Sequence, residues 1–306
     1  MTRFLYHPFL LLFWVSVSVW GQQTPTFTEY NYNPFLVNPA YAGIQGDWEA
    51  NLSNIGFGSS EFDGAPKTFS FSAHSGIRDR NMGLGAAVIN DKVGVTTATQ
   101  IYGAYSYRII LNDNAYPYWK VYDRSFISFG LQAGVLMYDQ NLLSLGITDD
   151  PNFSENINST MPMAGAGVMF GHANFFAGVS IPNLIGDSFS NQDNLKLSKP
   201  IYGYTGYHFV LDRYSPDYIL KPSMLFKYES GAPFQVDVNL SLSIKSMIEI
   251  GAGYRTNSSF TAMAGFYIMK NIRALYNYTR NESGSPLGAT HGIVLSYRAG
   301  KGFVSE

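Results

Sequence analysis

Cysteine is missing from all 306 residues. Its absence excludes disulfides, thiolate metal sites, cysteine nucleophiles and lipid attachment at a processed N-terminal cysteine. Charge is scarce as well. Asp, Glu, Lys and Arg make up 14% of the chain, against about 25% in average soluble domains. A formal net charge of −2 argues against nucleic acid as a partner. Past residue 21 no stretch offers the roughly 18 uninterrupted apolar residues of a membrane-spanning helix. The five histidines (His7, His74, His172, His208 and His291) fall at no metal-ligand spacing. There is no Gly-x-Ser-x-Gly elbow. Gly83-Leu84-Gly85 and Gly165-Ala166-Gly167 lie in strand-like segments with no helix behind them, so they read as strand glycines and not phosphate loops. No catalytic, cofactor or metal residue is expected.

Aromatic residues, by contrast, are abundant. Tyr and Phe number 22 each and aromatics reach 16%, as in membrane barrels that carry aromatic girdles at both interfaces. Between Phe234 and Lys245 the chain alternates strictly. Val236, Val238, Leu240, Leu242 and Ile244 fall on one side, and Gln235, Asp237, Asn239, Ser241, Ser243 and Lys245 on the other. A period of two means a strand with one apolar and one wet face. The run matches the roughly 9–11 residues a tilted strand needs to cross a bilayer. The same pattern predicts strands at 47–57, 67–75, 81–90, 96–109, 125–138, 162–170, 173–181, 200–211, 219–229, 234–245, 246–256, 259–269, 271–280 and 289–298. Small residues on inward faces (Gly83, Gly85 and Ala87 in one strand, Gly130 and Gly134 in another) suit a crowded lumen or an internal plug. No blade-length repeat of about 40–50 residues points to a propeller.

The expected fold is all-β: a transmembrane antiparallel β-barrel of about 14 strands with an irregular N-terminal arm, in the cell outer membrane. Residues 1–21 read as a signal peptide, with Arg3 as its basic start, Phe9 to Val19 as its apolar core and Val19-Trp20-Gly21 as its cleavage site. Residues 22–46 form the arm, which Pro25, Pro34 and Pro39 keep irregular, and 47–306 form the barrel. Gly171-His172 and Ser246 read as tight periplasmic turns. The stretches 110–124, 139–161 and 182–199 read as long solvent loops. Asp237, Lys245, Glu249, Arg255 and Arg273 fall on inward faces, as an ion-pair network filling the lumen or as the selectivity lining of a pore.

Asn38-Pro39-Ala40-Tyr41-Ala42-Gly43, shortly after Tyr32-Asn33-Pro34, resembles the opening signature of the PorP/SprF family of Bacteroidetes outer-membrane proteins. Trp48, then Gly64-Ala65-Pro66-Lys67-Thr68, then Gly83-Leu84-Gly85 with Asp91-x-x-Gly94 and Tyr105-Ser106-Tyr107-Arg108 follow in the family's order. Gly178-Val179-Ser180-Ile181-Pro182-Asn183-Leu184 is similar to its strand ending in Pro-Asn-Leu. The chain departs from the family at Gly288-Ala289-Thr290-His291-Gly292, where an acidic position is usual. It also ends at Glu306, past its last strand, which leaves Tyr297 or Phe303 as the assembly-signal aromatic. The resemblance implies a non-enzymatic part of the type IX secretion and gliding machinery. Its partners would be a secreted or surface-anchored type IX substrate protein, other periplasmic or lipoprotein components of the apparatus, and outer-membrane lipid. The signature residues Asn38, Pro39, Ala40, Tyr41, Ala42, Gly43, Trp48, Gly64, Ala65, Pro66 and Thr68 are read as structural or as partner contacts, with Tyr41 and Trp48 stapling arm to wall at the interface. An outer-membrane transporter or porin for small or hydrophobic solutes is the alternative.

Overall fold

The computed structural model describes residues 29–57, 64–77, 81–112, 114–147, 149–150, 153–185, 199–212, 214, 216–256, 259–281 and 289–303. The signal-peptide reading and the first residues of the arm lie outside them. The strands are β1 (Glu49–Phe57), β2 (Lys67–Ile77), β3 (Met82–Val93), β4 (Thr96–Ile110), β5 (Phe126–Gln140), β6 (Ile157–His172), β7 (Phe175–Ile181) and β8 (Ile201–Tyr207). They continue with β9 (Phe209–Val210), β10 (Tyr218–Tyr228), β11 (Gln235–Ile244), β12 (Ile248–Arg255), β13 (Ser259–Met269), β14 (Ile272–Asn281) and β15 (Ala289–Arg298). β8 and β9 both pair with β10 and form one stave broken at His208. The sheet closes through β10–β11 and β15–β1, giving an antiparallel barrel of 14 staves. Closure leaves the wall no free edge, so the backbone is satisfied without water.

Alternation sorts the side chains as a bilayer requires. On β11 Gln235, Asp237, Asn239, Ser241 and Ser243 are buried toward the lumen, while Val238 and Leu240 face out. Phe69, Phe71, Leu84, Leu131, Val179 and Phe266 continue the outer apolar band on other strands. Where β1 meets β15, Glu49 lies opposite Arg298 and their side chains pair at 2.7 Å.

Up-and-down order puts the connections 173–174, 245–247 and 270–271 at the end where β1 begins and β15 finishes. Short turns face the periplasm, so this terminal end is the periplasmic one. Two expectations change. The β6–β7 turn falls at Ala173-Asn174, with Ala173 at φ 55°, and Gly171 stays within β6, paired with Phe126 on one side and Phe176 on the other; the Phe126 ring fills the space a side chain at 171 would need. The stretch 110–124 is not a companion of the other long loops. Strand alternation places 111–125 at the terminal end, opposite 141–156 and 182–200. There it folds inward: the Tyr122 amide donates to the Ala173 carbonyl at 3.0 Å, and the Tyr122 ring packs edge-on against Phe126.

Candidate functional site: the plugged lumen

The arm lies in this lumen as irregular chain, because its own sequence disfavours both regular helix and strand. Proline at the first helical position starts two single 3₁₀ turns, η1 (Pro34–Leu36) and η2 (Pro39–Tyr41). The Asn38 side chain caps the second by accepting from the Ala40 amide at 2.9 Å. Gly43 and Gly46, at φ 66° and 79°, then turn the chain in a conformation that side-chain-bearing residues avoid. Between the turns sit apolar residues that water would penalise. Tyr30, Phe35, Leu36, Val37, Ala40 and Ala42 are all buried at 3% exposure or less. They share a core with inward residues of the wall such as Ile89, Tyr102, Met163 and Tyr204.

The wall is shaped to receive them. A side chain on Gly130 would fall inside the backbone of Pro39 and Ala40, one on Gly83 against the Ala42 carbonyl, and one on Gly167 against the Asn38 amide. Inward hydroxyls satisfy the arm's carbonyls: Ser128 donates to Ala40 and Ser106 to Ala42, each at 2.7 Å, and Ser180 donates to Val37. Asn38 donates to the Val168 carbonyl at 3.0 Å, and Asn33 to the Ser72 hydroxyl at 2.9 Å. Arg108 closes the terminal side, donating to the carbonyls of Gly43 at 2.8 Å and Ile44 at 3.2 Å. Deeper in, Asn239 donates to the Tyr30 hydroxyl at 2.9 Å. Burial pushes the Tyr30 pKa up to about 12, so this hydroxyl stays protonated.

The charged residues expected in the lumen divide. Asp237 and Arg255 stand opposite each other on β11 and β12 and form a two-pronged pair, with 2.8 Å from Nε to Oδ1 and 2.6 Å from Nη2 to Oδ2. Glu249 gathers Ser241 at 3.0 Å, Tyr267 at 2.6 Å and Lys221 at 3.3 Å. Arg273 donates to the Tyr32 carbonyl at 3.0 Å, and its guanidinium lies 5.0 Å from the Tyr32 ring and 4.5 Å from the Phe303 ring. Lys245 is a correction. It is exposed at the β11–β12 turn with φ 52°, because the strand ends one residue earlier and the turn carries Lys245 out of the inward series.

The signature residues also part company. Asn38, Pro39, Ala40, Ala42 and Gly43 build the plug, and Tyr41 packs 5.5 Å from the His74 ring inside the lumen. Trp48 is not the other half of a staple. It is half exposed on the outer face, 6.4 Å from the Tyr297 ring. Gly64, Ala65, Pro66 and Thr68 work at the opposite end. The Gly64 carbonyl accepts from the Gly94 amide at 2.8 Å, and the Thr68 hydroxyl donates to Asp91 at 2.6 Å, so two signature elements dock on each other. Of the two candidate assembly aromatics, Tyr297 faces out while Phe303 is buried beneath Arg273 and Arg298.

Sequence reasoning missed Ser53, Ser106, Ser128, Ser180, Arg108 and His74 as arm contacts. Their inward parity was readable, but which of them meet the arm depends on its path. Ser125 and His172 do meet, at 2.5 Å through Nδ1. That nitrogen also meets the Tyr116 hydroxyl at 3.0 Å, and the triangle fastens the 111–125 connection to β6. Among the described residues no group of three or more His, Cys, Asp or Glu is placed to hold a metal ion. Between arm and wall lies a cavity of about 60 Å³ bordered by Tyr32, Lys221, Glu249 and Arg273. It has room for a few waters.

Among solved structures the barrel is similar to the outer membrane protein Omp33 of Acinetobacter baumannii, with 9% identity, 84% of this chain and 99% of that one covered, and a TM-score of 0.47. A mutant porin of Rh. blastica follows at 6% identity, 82% and 98% coverage and a TM-score of 0.36. Outer membrane phospholipase A from Escherichia coli is similar at 13% identity, 82% and 92% coverage and a TM-score of 0.36. No curated protein matches the sequence. A model of the type IX secretion system membrane protein PorP/SprF covers residues 19–297, the span that holds both the plug-forming signature and the wall built around it. The chain therefore belongs to the PorP/SprF family of type IX secretion system membrane proteins and is an outer-membrane β-barrel.

Proposed function

We propose that this barrel is a non-enzymatic scaffold that helps a type IX substrate protein reach the cell surface or stay attached there. In this reading it also contacts periplasmic or lipoprotein components of the apparatus. The observation that carries the proposal is the filled lumen. Residues 29–46 occupy it on wall glycines, three serine hydroxyls and Arg108, and a barrel packed in this way contributes little to small-solute flux. Its use then lies in the surfaces it holds in the membrane. The terminal end, where 111–125 folds over the plug, is available to the periplasm, and the opposite end carries the long connections 141–156 and 182–200.

The test compares a deletion strain with its parent for surface proteome and for uptake of sugars and antibiotics. Loss of a particular surface protein with unchanged uptake is the expected result. Unchanged surface proteins with slowed entry of one solute class would overturn the secretion reading in favour of a transporter.

A further inference from the structure

The wall is uneven at the end away from the termini. β6 has 16 residues and its neighbour β7 only 7. On its β5 side β6 is paired along its whole length, up to Ile157 opposite Gln140. On its β7 side the ladder stops at Ala166 opposite Ile181. One further bond follows, from the Leu184 amide to the Ala164 carbonyl at 2.7 Å. Beyond Ala164 nothing among the described residues pairs with β6 on that side. Alternate residues of an antiparallel strand turn both backbone groups to the same neighbour. Ala164 faces β7, so Pro162, Thr160 and Asn158 do too. Thr160 and Asn158 each present an N–H and a C=O there, and Pro162 a carbonyl. The open edge from 158 to 162 is about 14 Å long at roughly 3.4 Å per residue, and β5 holds it extended.

An edge of this kind is a template for another chain, and proteins commonly blunt it with lysine or with an inward-pointing charge. Neither is present on this one. No Lys or Arg occurs between Arg124 and Lys196. The flank is acidic instead. Asp139 lies directly opposite Asn158, and Asp149, Asp150 and Glu155 sit on the connection that leads into β6. Asp139, Asp149 and Glu155 are exposed. The two features together define an occupant. A row of N–H and C=O groups at strand spacing is matched by an extended peptide, not by a lipid or a compact solute. The acidic flank asks that the peptide be basic. A second copy of this barrel would bring the same negative flank against its own, and like charges across an interface are penalised.

We infer that the open edge of β6 receives an extended segment of a cell-surface protein, bearing lysine or arginine, which adds to the wall as a short strand. The inference rests on the secretion and attachment reading above and gives it a place, at the surface end and outside the plug. Backbone bonds to Asn158, Thr160 and Pro162 supply the hold. The acidic flank selects the partner and speeds its encounter.

The experiment uses the processed full-length barrel in mild detergent and a fluorescent peptide, Lys-Val-Thr-Val-Lys-Val-Thr, with binding read by anisotropy at physiological salt. A second peptide, N-methylated at every valine and threonine, keeps the charge but loses most of the N–H row. The unaltered barrel should bind the first at least tenfold more tightly than the second. Thr160→Pro removes only an N–H that faces the open edge and should weaken binding of the first peptide at least tenfold. Asp139→Lys combined with Glu155→Lys should do the same. The peptide pair is read on the unaltered barrel, so it decides the matter even where a variant lacks the heat-modifiable mobility of a folded wall. Absent binding, equal binding of the two peptides, or a barrel dimer that Thr160→Pro dissolves would overturn the assignment. In cells, Thr160→Pro at normal outer-membrane levels should lose the same surface protein as the deletion strain. Loss in the deletion strain with full retention in Thr160→Pro would overturn the edge assignment and leave the secretion reading standing.

Discussion

Valine at Gly130 tests how firmly the plug is held. The new side chain must occupy space that now contains the backbone of Pro39 and Ala40. Overpacking of this kind costs about 1–3 kcal/mol. Against it stand the hydrogen bonds that Ser106, Ser128, Ser180 and Asn38 make to the arm or across to the wall, together with the two from Arg108. At about 1 kcal/mol for each neutral bond and about 2 for each charged one, they contribute roughly 8 kcal/mol to the hold, beside the burial of Tyr30, Phe35, Leu36 and Val37. One valine therefore shifts η2 without releasing it. Valine at Gly83, Gly130 and Gly167 together costs roughly 3–9 kcal/mol and fills the space that Asn38, Pro39, Ala40 and Ala42 now occupy, so the hydrogen bonds and the packing can no longer form together and the arm should be displaced. Liposome swelling with small sugars reads the outcome, and heat-modifiable gel mobility reports the folded wall. The single variant should stay as closed as the parent and the triple variant should admit sugars. A folded triple variant that remains closed would mean the arm is not what fills the lumen.

Other consequences follow from the same geometry. Val238→Arg puts a charge on the membrane face and should cost about 2–4 kcal/mol, read as a lower urea midpoint of the detergent-folded barrel. Asn239→Arg removes the donor to Tyr30 and forces a cation beside the arm, so its midpoint should fall comparably. Arg273→Met leaves the Tyr32 carbonyl without its charged donor and should cost about 2–3 kcal/mol; faster proteolysis of residues 29–46 in an intact barrel would report it. The mature chain should begin near Gln22 and fractionate with the outer membrane. Mass spectrometry finding Met1 in a soluble pool would end that reading.

Much of the wall was legible because alternation is local. The inward and outward sets of β3, β5, β11 and β14 follow from parity alone. Other features depend on where remote segments meet. Alternation makes Asn239→Arg look mild, since a polar inward residue is exchanged for another polar one. Only the arm's path puts Tyr30 against it. Lys245 continues the polar series in sequence, yet the chain turns just before it. Trp48 follows the arm signature closely enough to look like part of it, but it emerges on the membrane side of the wall. The 111–125 connection has the composition of a surface loop, and its end of the barrel is decided by counting strands. The glycines at 83 and 130 announced a crowded lumen or an internal plug without saying which residues would fill the space, and Gly167 read only as a strand glycine.

The most direct test of a lumen filled by the chain's own arm exploits the absence of native cysteine. Ala42→Cys paired with Ser106→Cys places thiols at residues joined by a 2.7 Å hydrogen bond across arm and wall. After mild oxidation of intact cells, mass spectrometry should find the arm peptide linked to the β4 peptide in the outer-membrane fraction. No link, with the thiol introduced in the arm instead modified by a membrane-impermeant reagent added outside the cells, would contradict the plugged barrel.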